Sequence, residues 1–105
     1  MKSKKLGNKR KYIYTVTVLK DLNIPSGRRC FGWFSNPKKA KEAVERNGCD
    51  IHECLYMFAV VERFEDGLYS ISRVTWWYKW NEKLKCYEPI EKPEEVSNRI
   101  NFGIG

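Results

Sequence analysis

Three of the four tryptophans fall within five positions, inside the stretch Ser72 to Pro89 that reads SRVTWWYKWNEKLKCYEP. Strand side chains alternate between faces, so an extended segment here puts Val74, Trp76, Tyr78 and Trp80 on one side and Thr75, Trp77 and Lys79 on the other. The polar run Asn81 to Lys85 reverses the chain, and Cys86 and Tyr87 form a short return strand that Pro89 stops. Any fold of this chain therefore has to house an aromatic hairpin. Trp and Tyr combine large apolar area with a polar handle, which suits a sheet interior and equally a surface on which a base stacks. Both readings stay open from the residues alone. The need to fill a small sheet favours Trp33, Trp76 and Trp80 as core, whereas Trp77, sharing its face with Thr75 and Lys79, is the tryptophan expected to be reachable.

The other segments supply partners for that hairpin. Tyr12 to Leu19, YIYTVTVL, is β-branched and aromatic throughout and reads as the first strand. Asp21 to Arg28 has the composition of a loop, and Arg29 to Phe34 resumes an extended pattern in which Gly32 marks a bulge or a close approach. Ser35 or Asn36 caps a helix that opens at Pro37 and runs to about Asn47, where Gly48 supplies the stop. Its narrow apolar stripe, Ala40, Ala43 and Val44, implies close packing on a sheet. The unbroken apolar run Leu55 to Val61 is the expected central strand. After a turn at Glu65-Asp66-Gly67, residues Leu68 to Ile71 form a short extended piece. Pro93, Glu94 and Glu95 suit the first turn of a short helix over Glu91 to Asn98, and the apolar tail Ile100 to Gly105 is expected to dock. The predicted fold is α+β: an antiparallel sheet of four to six strands, one main helix over about 37–47 packed on one face, and a short C-terminal helix. A chain of 105 residues makes one domain, residues 12–105, preceded by a basic mobile arm, residues 1–11.

Charge is distributed unevenly. Residues 1–50 carry 13 basic and 4 acidic side chains, a net of +9, and residues 51–105 carry 7 and 9, a net of −2, which together make the formal +7. Anionic partners are favoured, and the positive field belongs to the front half. Cys30, Cys49, Cys54 and Cys86 lack the two-residue gap of a zinc knuckle or redox dithiol, so the expected state is four reduced, mostly buried thiols. A metal site or a thiol–imidazole pair can be sketched from Cys49, His52 and Cys54, but adjacency in sequence does not make adjacency in space. No metal ligand, cofactor or catalytic residue is assigned, and a non-enzymatic role is expected. No secretory core follows the charged start, and no apolar run approaches the ~20 residues of a membrane span, so a soluble, cytoplasmic protein with no membrane partner is expected.

The blocks FGWF, AKEAVERN, DIHE, VVE, GLY, WWYKWN and NFGIG, spread over Phe31 to Gly105, together resemble a small family of proteins of bacteria and their phages. That resemblance implies a compact single domain in an intracellular setting shared with mobile elements, and it carries no known activity and no catalytic residue.

Binding follows from the inventory better than catalysis does. Arg28 and Arg29, at a loop end, suit charge-assisted contacts to phosphate, and Trp77, Tyr78 and Lys79 suit stacking and charge, so these five are the expected ligand-binding residues. The expected ligand is a nucleotide or another phosphate-bearing small molecule, and the phage resemblance adds one version, an anti-defence decoy that sequesters a host nucleotide signal. The alternatives are a nucleic-acid-binding protein that uses the basic arm, and a small inhibitor of a host protein.

Overall fold

The computed structural model describes residues 11–22, 27–65, 71–72, 74–96 and 101–104. Strand β1, Tyr12–Leu19, and strand β2, Arg28–Phe34, pair antiparallel, with Tyr14 opposite Phe34 and Leu19 opposite Arg28. The register slips between Val16 and Thr17, which leaves Phe31 as the extra residue of a bulge. Gly32, at φ 148°, occupies backbone space that side-chain-bearing residues rarely adopt, so the glycine is what permits the bulge. Helix α1, Pro37–Glu45, follows, with the Asn36 side chain accepting from the N–H groups of Lys38 and Lys39. The helix ends earlier than its periodicity predicts, because Asn47 rather than Gly48 takes the left-handed position, at φ 52°. A 3-10 turn, Gly48–Asp50, leads on to strand β3, Phe58–Glu65. Strands β4, Thr75–Asn81, and β5, Cys86–Ile90, complete the sheet.

The order across the sheet is β2-β1-β3-β4-β5, every pairing is antiparallel, and β3 is its centre. The central strand lies three residues further along the chain than the apolar run suggests. Leu55 and Met57 are exposed, and the strand instead continues through Arg63 to Glu65. Pro89 does not stop β5 but lies inside it, opposite Tyr78, which an edge strand tolerates because one side needs no ladder donor. Residues 94–96 form a turn closed by Val96 N–H donating to Pro93 O, and no helix occurs among the described residues of 91–96. The expected arm, the turn at residues 66–67, most of the short piece at 68–71 and the end of the C-terminal helix lie outside the described residues.

Both faces of the sheet are covered. On one face, Val16, Val18, Ala59, Val61, Tyr78 and Tyr87 are buried under Ala40 and Val44 of α1. On the other, Leu19, Val60 and Trp77 are buried with Val96 and Phe102 of the C-terminal segment. Burying one such aliphatic or aromatic side chain contributes about 1.5–3 kcal/mol, so each cover holds its face. Among the described residues no helix is long and apolar enough to cross a membrane.

Candidate functional site

The five expected ligand residues do not share a site. Adjacent strand positions face opposite ways, and Arg28 and Arg29 are separated in this manner. Arg28 Nη1 donates to Asn101 O at 3.4 Å, on the tail-covered side, while Arg29 Nη1 donates to Glu53 Oε2 at 2.7 Å and its guanidinium lies 4.4 Å from the Phe31 ring centroid. Trp77, expected to be reachable, is only 3 % exposed, because Phe102 sits edge-on against it at 5.4 Å and Ile90 and Val96 close around it. Tyr78 is buried on the helix side, its hydroxyl donating to Glu45 Oε2 at 3.5 Å. Burial, helped by the Glu45 charge, pushes that phenol up to about 12. Of the five, only Lys79 and Arg29 are exposed.

The tryptophan assignment reverses in a second place. Trp33, expected in the core, is 61 % exposed on the edge strand β2, whereas Trp80 is buried as expected and Trp76 is partly buried. Three of the four thiols are also exposed rather than buried, Cys30, Cys49 and Cys54. Among the described residues, no group of three or more His, Cys, Asp or Glu side chains is placed to hold a metal ion.

What the topology does bring together is a row of rings and cations at one end of the helix-covered face. Arg63 of β3 stands opposite Tyr14 of β1, two residue pairs in from the Tyr12–Glu65 end of the ladder, and its guanidinium lies over the Tyr12 ring at 4.3 Å. Tyr12 and Tyr14 follow each other on β1 with centroids 6.5 Å apart, and Tyr14 meets Trp76 of β4 at 6.1 Å, both pairs tilted by about half a right angle. Lys41 of α1 completes the row, its ammonium 4.7 Å from the Trp76 centroid. The row thus reads Arg63, Tyr12, Tyr14, Trp76, Lys41.

Each part has a local cause. Period-two alternation sends Tyr12 and Tyr14 to the same face, and the antiparallel registers of β1 with β3 and of β3 with β4 place Arg63 and Trp76 on that face as well. Helix α1 covers Val16, Val18 and Val61 through Ala40 and Val44, and beyond it Tyr12 and Trp76 remain partly exposed while Tyr14 between them is buried. A cation over a ring gains about 0.5–1 kcal/mol at exposed sites. Trp76 also borders a groove of 310 Å³ that Ile90, Glu91 and Lys92 help to line. Lys11, exposed, carries the chain into β1 at this end, and five of the ten residues before it in the sequence are Lys or Arg.

The sequence names every member of this row, but nothing in it shows which strands are neighbours. Trp76 reads as core, Tyr12 as one position of the first strand, and Arg63 carries no local signal of its own. Comparison with protein-family models, with curated proteins and with solved structures finds no match to this chain.

Proposed function

We propose that the protein is a non-enzymatic binder of a phosphate-bearing polymer, single-stranded nucleic acid, and that it binds along the row from Arg63 to Lys41. The observation that carries this reading is a run of tilted rings with a cation over the ring at each end, Arg63 over Tyr12 and Lys41 over Trp76, drawn from three strands and the helix at the end of the sheet where β1 begins. Rings offer faces on which any base can stack, for about 1–3 kcal/mol per base, and the outer plane of a ring-bound guanidinium offers another. Lysines and arginines supply phosphate neutralisation, and the front half of the chain holds 13 of the 20. The polymer is favoured over a single nucleotide because Arg28 and Arg29 diverge and Trp77 and Tyr78 are buried, which dismantles the pocket a lone nucleotide would use.

The test is binding of a mixed-sequence single-stranded oligonucleotide at low and physiological salt, read by fluorescence anisotropy, with free nucleotides alongside. The expected result is affinity that falls steeply with salt, with Arg63→Gln weakening binding and lowering the slope of log K against log salt by roughly 0.7. Binding that is unchanged in both Arg63→Gln and Tyr12→Ala would remove the row from the site. Nucleotide binding with little salt dependence would restore the single-nucleotide reading in place of the polymer.

A further inference from the structure

A cleft of 460 Å³ lies at the far end of the same face, lined by Asn47, Asp50, His52, Cys54, Trp80, Glu82 and Lys85, and the row of rings and cations does not use it. Its size falls within the range of small-ligand sites. One wall of the cleft carries His52, the chain's single histidine, which is 8 % exposed. The imidazole is stacked flat on Trp80, with centroids 3.6 Å apart and planes 8° from parallel, and Tyr87 meets it edge-on at 5.8 Å. Its Nδ1 lies 2.9 Å from Tyr56 O, and a carbonyl can only accept, so Nδ1 carries the proton. In the neutral ring Nε2 is then a lone-pair acceptor. Among the described residues it has no hydrogen-bond partner, although the ring around it is held from both sides.

The walls repeat the same chemistry. Asp50 uses one carboxylate oxygen to accept from Asn47 Nδ2 at 3.1 Å, and its other oxygen has no partner among the described residues. Glu82 accepts from Trp80 Nε1 at 2.9 Å and from Lys85, so the ammonium of Lys85 is already paired. Two carboxylates against one ammonium give this cleft the sign opposite to the +7 of the chain. The lining is also bought with strain: Asn47, Asp50 and Cys54 all sit in left-handed backbone, at φ 52°, 53° and 61°, each costing on the order of 1 kcal/mol. Asn47 holds that shape by accepting from His52 N–H at 2.9 Å.

We propose that this cleft is a second binding site, one for an organic ammonium group, which donates to His52 Nε2 and to the unpaired oxygen of Asp50. An ammonium brings three N–H donors to acceptors that lack partners, and its alkyl stem lies along the Trp80–His52 stack. A phosphate has no such fit, because it would meet two carboxylates and an imidazole lone pair. The proposal stands independently of the polymer site, since none of the row residues lines the cleft.

The experiment is a titration of the full chain with n-butylammonium, followed by the indole N–H resonance of Trp80 and the side-chain amide of Asn47, with 1-butanol and inorganic phosphate as controls. Saturable shifts of both signals with butylammonium and not with butanol are expected. Asp50→Asn keeps the fold, since Asn tolerates the left-handed backbone and its carbonyl still accepts from Asn47, and it is expected to weaken binding roughly tenfold. His52→Gln serves as the second variant and is expected to weaken it as well. A short peptide with one internal lysine separates the sources: tighter binding than butylammonium assigns the ammonium to a protein partner, weaker binding to a free amine. An equal response to butanol, saturable phosphate binding, or an unchanged affinity in Asp50→Asn overturns the proposal.

Discussion

The two faces of the sheet are closed in different ways. The helix closes one with side chains: Ala40 and Val44 fit over Val16, Val18, Ala59 and Val61, and the polar atoms beneath, the hydroxyls of Tyr78 and Tyr87, reach outward to Glu45 Oε2 and Tyr56 O. The C-terminal segment closes the other partly with main chain. Glu62, 1 % exposed at the centre of β3, accepts from Phe102 N–H at 3.0 Å and Gly103 N–H at 2.8 Å, and Gly103 lies so close that a Cβ there would stand 2.7 Å from Thr15 Oγ1. A helix arrives with its own hydrogen bonds made, whereas irregular main chain brings open N–H groups that the sheet must receive. That need explains a glutamate in what would otherwise be an apolar interior. The fit is incomplete, since Thr17 Oγ1 and Trp77 Nε1 are buried without a partner among the described residues.

This contrast is broken most broadly by pH. Burial raises the Tyr78 hydroxyl to about 12, and burial with the nearby Asp50 charge also raises Tyr87, both on the helix-covered face. The unfolded chain releases these protons near the ordinary tyrosine value of about 10, so between there and 12 the folded form holds more protons and stability falls as pH rises. Alkaline unfolding followed by circular dichroism is expected to show that fall, and Tyr78→Phe to reduce it. The tail-covered face responds in another range. Burial raises the Glu62 carboxyl, although the Phe102 and Gly103 N–H groups and Arg28 oppose the shift. Glu62 therefore favours the fold at acid pH, and that contribution is lost as pH climbs above the ordinary glutamate value through the folded one. In Glu62→Gln the slope of stability with pH across that range is expected to flatten.

Removing the carboxylate outright is the sharper cut. Glu62→Ala leaves the Phe102 and Gly103 N–H groups without an acceptor at a buried site, and hydrogen bonds to a charged group are worth about 1.5–3 kcal/mol, so a loss of about 3 kcal/mol at neutral pH is expected. Urea unfolding measures it. A loss under about 1 kcal/mol would mean that the segment is held by Phe102 packing and not by its main chain.

These two covers also explain what could be read from the sequence. The strands, the helix entry at Asn36 and the hairpin are local: alternation, a capping side chain and a proline at the first helical position announce them. The helix-covered face was legible because an apolar stripe on α1 calls for an apolar partner. The tail-covered face was not, since Trp77 beside Thr75 and Lys79 has the pattern of a solvent-facing side, and only the return of Phe102 across the sheet buries it. Arg28 and Arg29 failed as a pair for a simpler reason, because neighbours on a strand point apart. The row from Arg63 to Lys41 depends on the strand order β1-β3-β4, which no local signal contains.

Within the helix-covered face, the expected cost is set by apolar volume. Val44, fully buried, loses two methyl groups in Val44→Ala and opens a small cavity under α1, for about 2 kcal/mol. Differential scanning calorimetry checks the size. The comparison with Glu62→Ala is informative in the exchange pattern: Val44→Ala is expected to speed amide exchange in α1 while Phe102 and Gly103 keep their protection, and Glu62→Ala to do the reverse.

The smallest perturbation tests whether the two covers are separate at all. Asn36 Oδ1 accepts from Lys38 N–H at 2.7 Å and Lys39 N–H at 3.4 Å, outside the core and on the helix alone. Asn36→Ala removes that acceptor from exposed donors that water then serves, so the cost is about 1 kcal/mol and no cavity forms. Because α1 touches the sheet on one face only, the loss is expected as local fraying: faster exchange at Lys38 to Ala40, with the Glu62-bound amides of Phe102 and Gly103 unchanged at denaturant concentrations below the global transition. Equal acceleration of both sets would show that the faces open as one unit, with the shared strands β1 and β3 carrying the coupling, and the contrast between a side-chain cover and a main-chain cover would then describe how the faces are built without describing how they come apart.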